Sequence, residues 1–430
     1  MDSLLIEGGR PLSGEITVAG NKNAALPMLA ATLLSDEAVR LQNVPRIRDV
    51  LTMQDALSDL GVSVRRDESV LVCRAEQLRS SRPSPQICKN MRASFVLAGP
   101  LLARTGLAEL AAPGGDKIGR RPVDTHVLAL RQLGAEVDVE PDRYVMRAPR
   151  GLVGARIFLS EMSVTGTENV LMAAVLARGT TLLDNAASEP HVQDLCHMLV
   201  AMGARIRGIG TNSLQIEGVD RLRGCTATVG PDYLEVGSFI ALAAITRGAL
   251  RIKQARPEEH RVTEIAYGKL GVRWEVQGDD IFVPADQELE VQEGLHRGVP
   301  IIHSSPWPGF PPDLTSIALV LATQAQGTAL IHEWMYESRL YWVDRLISMG
   351  ARVIVCDPHR AVVIGPAKLY GQRVSSPDIR AGMALLLAAL VADGTSTIHN
   401  AQQIDRGYER IDERIRALGA KIERVDGAKS

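Results

Sequence analysis

ERIDERIRALGAKI, Glu409 to Ile422, is the stretch from which the fold can be read. It begins as an amphipathic helix, stops at Leu418-Gly419 and resumes as a strand-like segment. A glycine at that point is a common helix C-cap. The ending has a simple form: Leu or Met, Gly, Ala or Val, one further residue, then a hydrophobic one. It recurs as LGVSV at 60, LGAEV at 133, MGARI at 202, LGVRW at 270, MGARV at 349 and LGAKI at 418. The glycines at 61, 134, 203, 271, 350 and 419 are separated by 73, 69, 68, 79 and 69 residues, so six similar units fill the 430-residue chain. Such a period is too long for a helical solenoid.

Each unit carries a second landmark upstream. An Ala/Leu-rich run ends in a turn and a strand-like segment, as in LARGTTLLDNA, ITRGALRIKQA, TQAQGTALIHEW and VADGTSTIHNA. Their glycines, 179, 248, 327 and 394, precede the capping glycines by 24, 23, 23 and 25 residues. A unit therefore reads strand, helix, strand, helix, then one or two strands, which predicts an α/β fold with parallel pairings. Runs such as NVLMAAVLA (Asn169–Ala177) and SIALVLATQA (Ser316–Ala325) are apolar nearly all round and belong inside a domain. Six units divide most simply into two domains of three. The break is expected near Gly224–Asp232, with the first strand, SLLIEGG, packing with the second half. This gives a first domain over 22–230 and a second over 1–21 plus 231–430, with the active site expected in the cleft between them.

Composition narrows the function. The chain is 46% hydrophobic and 23% charged with a net charge of −2, so no global field recruits nucleic acid or an anionic membrane. Aromatics at 4% are too few for a base-stacking platform. Cys73, Cys88, Cys196, Cys225 and Cys356 are scattered, odd in number and without a CxxC pair, which points to a reducing cytoplasm and away from disulfides or zinc. MDSLLIEGGRPLSG does not read as a signal peptide, and AGMALLLAALVA (Ala381–Ala392) is too short to span a bilayer. There is no Walker A loop, no GxGxxG after a first strand, no GxSxG elbow and no HxH or HExxH. Neither a metal nor an organic cofactor is expected, and no membrane insertion. Oligomeric state is not legible.

Several short stretches join cationic side chains to helix starts. GNKNA places Lys22 and Asn23 before an apolar helix, a ready anion site. KNMRASF and PDIRAG place Arg92 and Arg380 similarly in two different repeats; YESRL contributes Arg339, and IDRGYERI contributes Arg406 and Arg410. Taken singly, each arginine reads as a surface salt-bridge partner rather than a ligand; Arg92 and Arg380 are less ordinary, because similar positions in two repeats carry the same cation. PGGDKIGRRPVDTH, Pro113 to His126, sets one carboxylate, Asp116, in a glycine-rich and strongly basic loop. Taken singly, that loop is a solvated turn.

Together these motifs carry a resemblance. GNKNAALP (20–27), MRAS (91–94), the 113–126 loop, SVTGTEN (163–169), NAASEPHVQD (185–194), FPPDLTS (310–316) and IDRGYERI (404–411) stand in order along the chain. The sequence resembles the UDP-N-acetylglucosamine enolpyruvyl transferases, the 1-carboxyvinyltransferases of peptidoglycan synthesis. The resemblance implies two inverse α/β-barrel domains, each of three βαβαββ repeats. It also implies transfer of enolpyruvyl from phosphoenolpyruvate to the 3′-hydroxyl of UDP-N-acetylglucosamine, with release of phosphate and no cofactor.

By the same resemblance, Lys22, Arg121 and Arg406 hold phosphoenolpyruvate and the intermediate. Asn23 and Asp313 face the sugar, with Asp313 accepting the hydroxyl proton. Arg92, Arg121, Pro122, Val123, Asp124, Thr125, Ser163, Val164 and Met335 contact the nucleotide sugar, and Arg339 and Arg380 lie near the same cleft.

Most of the family has cysteine where this chain has Asp116; a subset has aspartate. Asp116 is then the loop's general acid, and the epoxide fosfomycin, which alkylates the family's thiolate, is expected not to inhibit. Lys117, Arg120 and Arg121 favour the ionised carboxylate, whereas bound phosphoenolpyruvate and a dry pocket favour the protonated acid. Smaller departures are Glu161 and Tyr233, where relatives carry cations, and Trp334 and Met335 near the uridine pocket. They leave two other readings open. One is a paralogue acting on a free nucleotide or shikimate 3-phosphate; the other is a non-catalytic UDP-sugar sensor.

Overall fold

The computed structural model describes residues 2–116, 118–294 and 296–425. The six glycine endings share one hydrogen-bond pattern. Each glycine has positive φ, between 83° and 108°. Its N–H donates to the carbonyl three residues back (Gly61 to Ser58, Gly419 to Arg416), and the next N–H donates to the carbonyl five back (Val62 to Leu57, Ala420 to Ile415). This is the Schellman motif, and it explains the letters around the glycine. The residue after it and the residue five before that one are both buried in all six copies, as with Val62 and Leu57 and with Ala135 and Leu130. A Cβ at Gly134 would meet nothing within 4 Å, although its φ is +93°. Gly134→Ala is therefore expected to lower stability by about 1–2 kcal/mol through backbone strain alone. A thermal midpoint unchanged from wild type would contradict the left-handed assignment.

Around these caps the repeat is complete in its third copy. Strand Arg156–Phe158, helix Val164–Ala174, strand Thr180–Asp184, helix Pro190–Ala201, and strands Arg205–Arg207 and Ser213–Glu217 follow in order. The leading strand runs parallel to the second, and the last two form the antiparallel remainder of a four-stranded sheet. The fifth repeat has the same order, leading with Ile301–His303 parallel to Gly327–His332. In the sixth, the last strand comes from the other end of the chain: Ser3–Glu7 lies between Thr395–His399 and Lys421–Val425.

The first and fourth repeats exchange leading strands. Gly14–Thr17 pairs in parallel with Leu250–Lys253 of the fourth, while Thr226–Thr228 pairs in parallel with Ala38–Gln42 of the first. The second repeat has three strands. Where its leading strand belongs, the chain reads Arg82-Pro83-Ser84-Pro85, and two prolines lack ladder donors.

The chain forms two compact units. One is Gly20–Asp116 with Arg121–Gly230; the other is Met1–Ala19, Lys117–Arg120 and Pro231–Ser430. Among the described residues each has three sheets and its own apolar core. Among the described residues the sheets are open and separate, so each unit is barrel-like only in surrounding its helices, without a closed ladder. At the core lie the apolar helices. All fourteen residues of Tyr233–Thr246 are buried, as are all of Ile379–Val391 except its last. Glycines let them approach closely: a Cβ at Gly99 would stand 2.3 Å from the Asn169 carbonyl, and one at Gly237 would stand 2.7 Å from Leu314 Cδ1.

Candidate active site

The starts of the six inner helices carry the charged and polar residues singled out above. In the Gly20–Gly230 unit these are the helices beginning at Lys22, at Arg92 (a 3₁₀ turn leading into Ala98–Thr105) and at Val164. In the other unit they begin at Tyr233, Thr315 and Ile379. A helix start offers backbone N–H groups and the positive end of the helix dipole, which suits an anion.

In the first of these units, Asn21 caps the Lys22 helix, accepting from Asn23 and Ala24 N–H at 2.7 and 3.2 Å. Lys22 Nζ donates to Asp49 Oδ2 at 3.2 Å, with both side chains largely buried. Arg92 Nη2 donates to the carbonyls of Arg121 and Pro122. The strand-to-loop glycines also have a local cause. Gly114 N–H donates to the Cys88 carbonyl at 3.0 Å, and a Cβ there would stand 1.7 Å from the Lys89 carbonyl. Gly115 has φ +110° beside Arg92 Cβ. The glycines thus lay the loop flat on residues 88–92 and bring half-buried Asp116 to its end. Lys117 lies outside the described residues.

Pro122 and Asp124 are exposed, whereas Val123 is buried beneath them. Thr125 donates to Glu161 Oε1 at 3.1 Å and meets Ser160 Oγ at 3.1 Å. Ser163 caps the Val164 helix through Gly166 N–H. Behind them a buried network fixes the elements. Asn169 Nδ2 donates to the Phe95 carbonyl and to His126 Nδ1, both at 2.8 Å, and its Oδ1 accepts from Gly99 N–H at 2.7 Å. Burial, aided by Arg92, pushes His126 down to about 3, so the ring is neutral and its Nδ1 is free to accept.

In the second unit, Asp313 is gripped by two buried guanidiniums. Arg339 Nη2 donates to Oδ1 at 2.7 Å and Arg380 Nε donates to Oδ2 at 2.9 Å. Burial opposes both charges, but Asp313 and its acidic neighbours hold both arginines above their ordinary range. Among the described residues, Arg339 Nε and Arg380 Nη1 are buried with no hydrogen-bond acceptor, although the Tyr408 hydroxyl also acts on the Arg380 side chain. Met335 is half-buried on the loop after strand Gly327–His332. Arg406 ends a 3₁₀ turn and donates to Gln403 Oε1 at 3.1 Å.

Three acids escape a reading by sequence. Each of Asp49, Asp232 and Glu333 has at least one partner distant in the chain: Lys22, Ala19 and Thr315. Asp232 caps the Tyr233 helix, accepting from Leu234 and Glu235 N–H, and its own N–H donates to Ala19. Burial pushes its carboxyl up to about 6, opposed by Arg380 and aided by Glu235. The fold thus keeps the proton over a range where the unfolded chain has lost it. Stability falls as pH rises from the ordinary aspartate range near ~4 towards about 6 and stays lower above, by up to about 3 kcal/mol. Asp232→Asn keeps the capping oxygen and removes the titration. Its thermal midpoint is expected to gain on wild type progressively between those pH values; parallel pH curves would remove the assignment.

A family model described as EPSP synthase (3-phosphoshikimate 1-carboxyvinyltransferase) matches residues 6–415. Among curated proteins, the chain is 54% identical over 427 residues to a UDP-N-acetylglucosamine 1-carboxyvinyltransferase of Bradyrhizobium diazoefficiens, covering 99% of each. It is 51% identical over 424 residues to the Treponema denticola protein of that name, covering 98% of this chain and 99% of the other. Among solved structures, the enolpyruvyl transferase NikO from Streptomyces tendae shares the fold at a TM-score of 0.87 and 23% identity, over 99% of each chain. An EPSP synthase from Acinetobacter baumannii shares it at 0.76 and 17%, over 99% of this chain and 100% of the other.

Proposed function

The chain belongs to the UDP-N-acetylglucosamine 1-carboxyvinyltransferases, and we propose how its residues divide the work of that reaction. The enzyme moves enolpyruvyl from phosphoenolpyruvate to the 3′-hydroxyl of UDP-N-acetylglucosamine and releases phosphate, the first committed step of peptidoglycan synthesis. In the addition, the hydroxyl oxygen bonds to C2 of phosphoenolpyruvate while C3 gains a proton and the hydroxyl loses one. In the elimination, the tetrahedral ketal loses phosphate and a proton from C3. Asp116 gives and retrieves the C3 proton. Asp313 accepts the hydroxyl proton, held in place by Arg339 and Arg380 on its two oxygens.

The observation that supports this division most is the pair of unspent donors, Arg339 Nε and Arg380 Nη1. Buried N–H groups without acceptors are costly, and a substrate anion would satisfy them beside the base. Lys22, Arg121 and Arg406 add charge for the carboxylate and phosphate of phosphoenolpyruvate, with Lys22 leaving Asp49 to do so. Asn23, Arg92, Pro122, Val123, Asp124, Thr125, Ser163, Val164 and Met335 hold the nucleotide sugar. The substrates are cytoplasmic small molecules, and no helix among the described residues is long and apolar enough to cross a membrane. A cytoplasmic site of action also suits the unpaired cysteines.

Phosphate release is expected only when both substrates are present. Full release from phosphoenolpyruvate alone would make the chain a phosphatase. No release with this acceptor while phosphoenolpyruvate still binds would transfer the assignment to another acceptor.

A further inference from the structure

The segment Glu333–Arg339 connects strand Gly327–His332 to the base Asp313, and one buried carboxylate organises it. Glu333 is fully buried. Its Oε1 accepts from the backbone N–H groups of Met335 and Tyr336 at 3.0 and 3.2 Å, and its Oε2 accepts from Thr315 Oγ1 at 2.9 Å. Thr315 opens the inner helix two residues after Asp313. Tyr336 passes the connection on: its carbonyl accepts from Arg339 N–H at 3.2 Å, and its ring lies under the Arg339 guanidinium, 5.2 Å from the centroid. Arg339 then closes on Asp313. The result is a ring of contacts through Asp313, Thr315, Glu333, Tyr336 and Arg339. Glu333 is fixed in turn by His359, whose Nδ1 donates to the Glu333 carbonyl at 2.7 Å.

We propose that Glu333 is a positioning residue for the acceptor: by accepting three hydrogen bonds it sets the Met335–Tyr336 backbone against the start of the helix that follows Asp313. This rests on the reading above that Met335 contacts the nucleotide sugar. The role belongs to the accepting oxygens rather than to the charge. Two backbone donors on one oxygen leave no freedom of direction, whereas the threonine hydroxyl on the other can either donate or accept. Burial pushes the Glu333 carboxyl up, in keeping with a group whose charge is not what the site uses. Asp313 keeps a second anchor in Arg380, so loss of the Glu333 contacts releases the loop without releasing the base.

The test is steady-state kinetics of the full chain with Glu333→Leu, Glu333→Gln and Met335→Ala. Glu333→Leu fills the space without accepting. It should raise the KM for UDP-N-acetylglucosamine about tenfold or more, leaving kcat and the KM for phosphoenolpyruvate within about threefold. Glu333→Gln keeps an oxygen for the two N–H groups and an amide for Thr315, and should restore the acceptor KM. If Glu333→Leu does not fold, Thr315→Val removes one of the three bonds and should raise the acceptor KM alone, with Thr315→Ser as its rescue.

An acceptor KM unchanged in both Glu333→Leu and Thr315→Val overturns the proposal. So does a joint loss of kcat and both KM values, which marks general damage. Met335→Ala separates the two levels. If it raises the acceptor KM while Glu333→Leu does not, only the positioning role falls. If neither does, the assignment of this loop to the acceptor falls with it.

Discussion

With asparagine at position 116, phosphate release is expected to fall by about 10²–10⁴-fold, the usual worth of a positioned proton donor, while both substrates still bind. Asparagine keeps the shape and hydrogen-bonding capacity of the side chain and removes only the transferable proton. The placement of Asp116 supports a working group. Gly114 and Gly115 pack against residues 89 and 92 where no Cβ fits, and they lead directly into Asp116. A solvated turn would not need such contacts. The companion variant is Asp116→Cys. A thiolate is a strong nucleophile, a carboxylate a poor one, so this change should make the enzyme alkylatable by fosfomycin, whereas wild type stays unmodified by intact mass. Turnover of Asp116→Asn within a few-fold of wild type, or a covalent adduct on wild type, would remove the acid assignment.

What the sequence discloses and what it hides separate along physical lines. The Schellman endings were legible because every part of the motif lies within six residues: the glycine, the hydrophobic residue after it and its partner five before. The inner helices were legible because residues such as those of Ala381–Leu390 are apolar on every side, which only a core tolerates. Strand exchange was not. Gly14–Thr17 finds Leu250–Lys253 across more than half the chain, and a strand's own sequence records its faces but not its neighbour. Helix starts flagged Lys22, Arg92 and Arg380 as anion-binding candidates. What they bind inside the protein was hidden: Asp313 meets Arg339 and Arg380 from 26 and 67 residues away. Glu333 was least legible of all, since an acid after a strand looks like any loop residue until Thr315 and two backbone donors surround it.

The largest loss of stability is expected from Asp313→Ala, and the comparison with Asp313→Asn separates structure from chemistry. The Arg339 and Arg380 side chains are only 4% and 5% exposed, and each spends a donor on Asp313. Deleting the carboxylate leaves two buried cations facing each other, at a cost of about 3–5 kcal/mol. Asp378, Glu333 and Asp232 are near enough to act on one or the other arginine electrostatically, which limits the loss but does not replace the hydrogen bonds. Asp313→Asn keeps one accepting oxygen and costs less, but it cannot take a proton from the sugar hydroxyl. Its kcat should fall by about 10²–10⁴-fold. Its affinity for phosphoenolpyruvate should hold or rise, because removing one negative charge leaves the two guanidiniums freer to bind an anion. That opposite movement of turnover and anion affinity is the signature of a base held between cations. If kcat and phosphoenolpyruvate binding instead weaken together in Asp313→Asn, Asp313 serves to orient the arginines, and the proton acceptor lies elsewhere.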